Sequence, residues 1–298
     1  MSTTLQTYIT QVQRLVHDAA FSSYSQQELI DYINEAREDT ALDMHCVRQF
    51  FNAAAGTGVQ LLPGQEVYDL NGAVAGVNVT NGGNYSSPPA VTFSSAPSSG
   101  TTANGIAVLT GTAVTAVNLT NWGQGYVSAP TITFSPPGAT AIPVFFNNVF
   151  QVVSISNIWN TERYTLSFRG FTLYQAYMRS WTQLFQARPA IWTIHPQMLQ
   201  VYIRPAPDQL YVSEWDILSL PAPLVNLNDF DVQVVPPWNK AVQFRAAALG
   251  LMRHQNFEQA EYYDKKYQER VPRYIIGAGG YRLPNPYNRT VQRMIGRN

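Results

Sequence analysis

The chain has 298 residues with 19 basic and 19 acidic side chains, so its formal charge is zero, and only 13% of its residues are charged. That balance gives no bulk attraction to nucleic acid or to an anionic membrane, so any basic surface must be local. A single cysteine, Cys46, excludes an internal disulfide and suits a reducing compartment. No apolar run reaches the ~18 residues of a membrane span, and no basic-then-apolar leader opens the chain.

Leu5, Tyr8, Ile9, Val12, Leu15 and Val16 recur at helical spacing and predict a first helix. Ser25-Gln-Gln-Glu28 is a capping box: hydroxyl and carboxylate satisfy free backbone N–H groups at a helix start. The second helix it opens carries a stripe of Leu29, Tyr32, Ile33, Ala36, Thr40, Met44 and Val47. Asp31, Glu35, Arg37, Glu38 and Arg48 are expected on its opposite, solvated face. After Gly56 and Gly58 the period changes. Val59 and Leu61, then Pro63-Gly64, then Val67, Tyr68 and Leu70 read as two short strands around a turn.

No charged residue stands between Asp69 and Glu162, and the segment repeats itself. Val74-Ala-Gly-Val-Asn-Val-Thr-Asn81 matches Val114-Thr-Ala-Val-Asn-Leu-Thr-Asn121, and Tyr85 to Phe93 matches Tyr126 to Phe134, a period of about 40 residues. Apolar residues alternate within each copy (Val77, Val79; Val91, Phe93; Val117, Leu119; Ile132, Phe134), which predicts half-buried strands rather than a Gly/Ser spacer. Asn-Gly-Gly and Trp-Gly-Gln-Gly are expected to be the hairpin connections, and the two copies to cover each other's apolar faces.

Further strands are predicted at Val149–Ile158, Trp192–Pro196, Leu199–Arg204 and Leu210–Ile217, with a helix over Phe171–Phe185. Asp208, Glu214 and Asp216 are expected to face solvent. Pro236-Pro237 precedes a helical stripe of Trp238, Ala241, Val242, Ala248, Leu249 and Met252. A last helix, with Asn256 as N-cap and Gln259 as its capping-box partner, carries Phe257, Ala260, Tyr263 and Tyr267. The two C-terminal helices and the two N-terminal ones can cover one another's stripes, bringing both chain ends into one layer.

The pattern stops at Val271-Pro272. Beyond it come Arg273, Arg282, Arg289, Arg293 and Arg297, no acidic residue, and the anchors Tyr274, Ile275, Tyr281 and Tyr287 among glycines and prolines. Such a segment has too few apolar residues for a core of its own. Aromatics and arginines are the residues enriched at interface centres. With Arg270 at its root, this arm is the expected binding element.

The catalytic inventory is thin. His17, His45, His195 and His254 lie far apart and without metal-ligand spacing. His45 and Cys46 are neighbours on one helix, point about 100° apart and cannot form a nucleophile–base pair. Gly277-Ala-Gly279-Gly280 lacks the strand–turn–helix setting of a phosphate loop. The expectation is a chain without catalytic residues, cofactor or metal.

Several stretches together resemble the head-to-tail adaptor (connector) proteins of tailed bacteriophages, the short-tailed type especially. They are Arg14-Leu-Val-His-Asp18, Leu29-Ile-Asp-Tyr-Ile-Asn-Glu-Ala-Arg37, Pro63-Gly-Gln-Glu-Val-Tyr-Asp-Leu70, Ile203-Arg-Pro-Ala-Pro-Asp208 and the closing helical pair. The resemblance covers 1–70 and 144–270; the repeat is absent from ordinary adaptors and is similar to units of other virion and tail proteins. The resulting expectation is an α+β fold. Residues 1–71 and 142–270 form a discontinuous body with a four-helix platform from both chain ends and an antiparallel β domain; 72–141 form an inserted all-β repeat domain; 271–298 form an extended arm. The resemblance implies a structural virion protein at the portal vertex, made in the host cytoplasm. It implies a homo-oligomeric ring, usually of twelve copies, bound to the portal protein by its arms and to a tail tube or nozzle protein below. Genomic DNA would pass through the lumen without sequence-specific contact, and no membrane is involved. The competing expectation is a tail-associated glycan- or receptor-binding protein using Tyr85, Trp122 and Tyr126 of the repeat as stacking surfaces.

Overall fold

In the computed structural model the described residues are 3–18, 21–97, 99–160, 162–175, 185–195 and 197–272. The fold is mixed α+β. Its elements in chain order are β1 (Thr3–Thr4), α1 (Leu5–Val16), α2 (Gln26–Met44), β2 (Arg48–Phe51), a 3-10 turn (Ala53–Ala55), β3 (Val59–Leu61), β4 (Val67–Asp69), β5 (Ala73–Asn81), β6 (Ala90–Phe93), β7 (Asn104–Thr110), β8 (Ala113–Asn121), β9 (Ile132–Ser135) and β10 (Thr140–Phe146). They continue as β11 (Val149–Trp159), β12 (Glu162–Thr165), β13 (Ser167–Phe168), α3 (Phe171–Leu173), β14 (Ile191–His195), β15 (Gln200–Arg204), β16 (Tyr211–Ser219), β17 (Phe230–Asp231), α4 (Asn239–Arg253) and α5 (Phe257–Gln268). Contacts divide the chain into two compact units, Met1–Val47 with Leu220–Asn298, and Arg48–Ser219.

The first unit is helical. The capping box expected at Ser25 is present: Glu28 N donates to Ser25 Oγ at 3.2 Å and Ser25 N to Glu28 Oε2 at 2.8 Å. The one expected at Asn256 is not. Ser25 has the extended backbone an N-cap needs (φ −68°, ψ 155°), whereas Asn256 (φ −90°, ψ 70°) does not, and its side chain caps nothing. Helix α4 packs against α1, α2 and α5, which its run Ala246, Ala247, Ala248 and Gly250 permits. A Cβ on Gly250 would stand 3.3 Å from the Tyr24 ring, so small side chains are what let the helices close up. Leu5, Ile9, Val12, Leu29, Ile33 and Val242 fill the core between them, each contributing about 1.5–3 kcal/mol by burial.

Arg37 departs from its expected exposed position: only 1% of its surface is accessible. Its guanidinium donates to Asp231 from Nε and Nη2, both at 2.9 Å, and from Nη1 to the Ala222 carbonyl at 2.8 Å. Tyr8 donates its hydroxyl to the same carboxylate at 3.1 Å, and Val234 N at 3.0 Å. Burial, and then Asp231, push the Tyr8 phenol well above its ordinary range. The helix periodicity is unbroken at Arg37; what overrides the charge rule is a partner some 190 residues away.

The second unit is almost all β. One sheet runs β12-β11-β16-β2, with β3 pairing the first half of β16; the other runs β13-β14-β15-β4 and is antiparallel except for β13–β14. Strand β16 is flanked on both edges, and Glu214 and Asp216, expected in solvent, are buried in it. They persist as ions because Arg163 pairs with Glu214 at 2.5 Å and Arg48 pairs with Asp216. Of the helix expected from Phe171, α3 is described; residues 176–184 lie outside the described residues.

The repeat copies do not fold as hairpins side by side. They interlock. The first strand of each copy pairs with the last strand of the other, β5 with β10 and β8 with β7, and the two middle strands, β6 and β9, pair together. Val74 N donates to Trp122 O at 3.0 Å as Val114 N donates to Gly82 O at 2.9 Å. Tyr126 N donates to Gly72 O at 3.1 Å as Tyr85 N donates to Thr112 O at 2.7 Å. The phenols of Tyr85 and Tyr126 accept from Ala139 N (2.6 Å) and Ala103 N (3.0 Å), just ahead of β10 and β7. The Gly-rich segments after β5 and β8 are therefore crossings and not turns. The tight turn is at Gly111-Thr112, with Gly111 at φ 64° and Thr110 opposite Ala113.

Gln60 of β3 joins this arrangement to the rest of the unit: its amide donates to Val117 O at 2.8 Å and accepts from Leu119 N at 2.7 Å. Trp122 donates to Gln60 O at 2.8 Å and packs against Tyr68, Phe146 and Trp215.

Asp231→Ala is expected to lower the unfolding free energy in urea by about 3–5 kcal/mol, the cost of stranding a buried cation. Tyr85→Phe and Tyr126→Phe should each cost about 1 kcal/mol in the same titration, and by nearly equal amounts because their environments are equivalent.

Candidate functional site

The residues expected to bind a partner divide at Pro272. Arg270 is described. Arg273, Tyr274, Ile275, Tyr281, Arg282, Tyr287, Arg289, Arg293 and Arg297 lie outside the described residues. What the structure supplies is the base from which that segment leaves.

That base is the C-terminal half of α5 against α2 and α4. Tyr267 is enclosed, and its hydroxyl donates to Asp43 Oδ2 at 2.8 Å in the last turn of α2. Burial, then the hydrogen bond and charge of Asp43, hold this phenol well above its ordinary range. Arg245 of α4 sits between two helices, with Nε on Asp39 Oδ2 and Nη1 on Asp264 Oδ1, both at 2.7 Å. Burial pulls the Arg245 pKa down; the Asp39 hydrogen bond and the charges of Asp39 and Asp264 outweigh it and raise it. Arg270 donates from Nη1 to Lys240 O at 3.0 Å and lies 4.3 Å over the Phe244 ring. Val271 packs on a small cluster of Met44, Ala241 and Tyr267. The root of the arm is thus fixed by an aromatic contact, a carbonyl bond and apolar packing.

Part of the expected α5 stripe is displaced. Ala260 and Tyr267 are buried, but Phe257 is 65% exposed and Tyr262, outside the stripe, 57%. Chain periodicity does not distinguish an apolar residue that meets a neighbour from one that does not. The bridging role of Arg245 was also missed; its signal was an arginine inside an otherwise apolar helix, a position that needs partners.

The three aromatics on which glycan stacking was expected do not form a surface. Trp122, Tyr85 and Tyr126 are buried and their polar atoms bond to backbone. Tyr126 also contributes to a shallow cleft of about 320 Å³ lined by Ser94, Ser95, Pro97, Val127 and Ser128. Among the described residues no group of three or more His, Cys, Asp or Glu side chains is placed to hold a metal ion. Cys46 is packed away, and burial raises its thiol pKa to about 12. No helix of the described residues is long and apolar enough to cross a membrane. No family model matches the chain, and no curated protein matches its sequence.

The Tyr267 phenol gives a pH test. Its folded pKa is raised, so its contribution is complete below the ordinary tyrosine value of about 10 and is lost as pH rises beyond that. Melting temperature should therefore fall above about pH 10, and Tyr267→Phe should flatten part of that fall while costing about 1 kcal/mol at neutral pH.

Proposed function

We propose that the protein is a structural head-to-tail adaptor of a tailed bacteriophage: a ring subunit that joins the portal of the capsid to the tail and continues the DNA channel. In this reading α1, α2, α4 and α5 are a four-helix platform, and residues 72–141 are a β-repeat inserted into the body. The ring, of twelve copies, holds the portal through Arg270 and the segment 273–298 and meets a tail tube or nozzle protein on its other side.

The observation that carries the reading is the contrast at Pro272. A segment with five arginines, no acidic residue and the anchors Tyr274, Ile275, Tyr281 and Tyr287 follows a helix end held by Tyr267, Arg245 and Arg270. Such a segment orders on a partner, and ordering costs free energy that a large wrapped surface offsets. Repetition around a ring makes weak arms hold strongly together. The order of the matching stretches along 1–70 and 144–270 supports the adaptor reading over other ring proteins. Burial of Trp122, Tyr85 and Tyr126 removes the observation that favoured glycan binding.

Deleting 273–298 should leave the melting temperature within a few degrees of the parent, because nothing described in the body rests on the segment. The shortened chain should no longer co-sediment with portal rings, and particles carrying it should yield heads without tails. Normal joining of heads to tails by the shortened chain would end the proposal.

A further inference from the structure

The charges of this neutral chain are segregated. Residues 273–298 hold five of the 19 basic side chains and none of the 19 acidic ones, which leaves 14 basic against 19 acidic in 1–272. The acidic surplus is concentrated on α2, which carries Glu28, Asp31, Glu35, Glu38, Asp39 and Asp43 against one basic residue, Arg37. Arg37 points inward and is neutralised by Asp231, so it does not offset them.

Several of these carboxylates are committed. Glu28 closes the capping box, Asp39 holds Arg245, and Asp43 accepts from Tyr267. Asp31, Glu35 and Glu38 remain on the outward face at helical spacing, with Leu42, 44% exposed, one turn on. Asp31 accepts only a neutral Gln27 amide at 2.9 Å. The cation nearest Glu35 is Arg253, at 3.4 Å with both side chains in solvent, a pair of little strength. This helix face is unpartnered within its unit, and it is acidic with an apolar end.

The arm starts next to it. Pro272 lies five residues past Tyr267, whose hydroxyl reaches Asp43 at the C-terminal end of α2. From Asp43 back to Asp31 the helix spans about 18 Å, and the ten residues from Pro272 to Arg282 can reach about 33 Å. The arm is long enough to return along α2 of its own chain.

We infer that, before a partner is engaged, the Arg/Tyr segment 273–298 lies along the outward face of α2 of the same chain, its arginines against Asp31, Glu35 and Glu38 and its apolar residues toward Leu42. This deepens the adaptor reading by giving the arm a resting place that a partner ring must outcompete, and it rests on that reading only for what the arm does next. The contact itself belongs to the free chain.

The test therefore uses the full-length chain alone. Trypsin cleavage after Arg282 and Arg289 is timed by mass spectrometry at about 0.05 M and about 0.5 M NaCl, where screening lengths differ several-fold. A short peptide of the same sequence corrects for the protease's own salt response. Cleavage of the native chain should be about tenfold slower at low salt, a few-fold for each of three exposed pairs. The variant Asp31→Asn, Glu35→Gln, Glu38→Gln should be cut at the fast rate in both salts. Equal cleavage of native and variant chains at low salt would overturn the inference, as would a native rate indifferent to salt; the latter needs no variant. Protection independent of protein concentration supports the same-chain contact, and protection that grows with concentration overturns it in favour of a second copy. None of these results depends on whether the arm later binds a portal.

Discussion

The helical unit is organised around one carboxylate. Asp231 has no accessible partner in water, and it is stable as an ion only because Arg37, Tyr8 and the Val234 amide converge on it. Those groups come from α2, α1 and the turn after β17, so the carboxylate is satisfied only when both ends of the chain have come together. The β1–β17 pairing, Thr3 opposite Asp231, adds backbone bonds at the same point. Hydrophobic burial supplies most of the free energy of such a unit, but it is indifferent to which helix meets which. The buried ion pair is not indifferent, since a wrong docking strands a charge. It therefore acts as a registration device for a unit whose two halves are separated by the whole β region.

The same logic accounts for what was legible in the sequence. Amphipathic stripes and alternation are local, and they located α1, α2, α4, α5 and the strands from β3 to β16. The Ser25 capping box was legible because side chain and backbone partners lie within one turn. Asn256 had the same residue types without the backbone angle, which composition does not encode. Long-range polar pairing was not legible: Arg37, Glu214 and Asp216 look like surface residues until their partners arrive from other segments. Strand pairing in the repeat failed for a related reason. Two near-identical copies offer the same alternation to each other that each offers to itself, so the pattern predicts strands without saying which copy pairs with which. For the candidate site, the composition of 273–298 was legible and so was its lack of a core. The anchoring of its root by Arg245 and Arg270 was not, because that depends on the spacing between three helices.

The repeat shows why a stretch of some ninety residues can do without charge. Its strands find partners in the other copy, and threonine pairs such as Thr80 with Thr140 (2.8 Å) and Thr110 with Thr115 (3.1 Å) supply polar contacts on the outside. Uncharged hydroxyl surface carries no repulsion of its own, so it does little to keep copies of a chain apart. Such a surface suits a protein that works in a crowd of identical neighbours better than one that diffuses alone, which is consistent with the ring proposed for it.

Charge placement completes the argument. A chain with zero net charge could have spread its ions evenly, and then no segment would hold a preference for any other. Here the middle is nearly empty of charge, the buried ions are paired, and the remainder is divided between an acidic helix face and a basic arm. Exposed pairs of this kind are weak one at a time and sensitive to salt. Weakness is what an exchangeable contact requires: an arm held by a buried pair could not leave, and an arm held by nothing would present its aromatics to solvent. An acidic face of three carboxylates with a leucine at its end binds tightly enough to cover the segment and loosely enough to yield it to a larger surface.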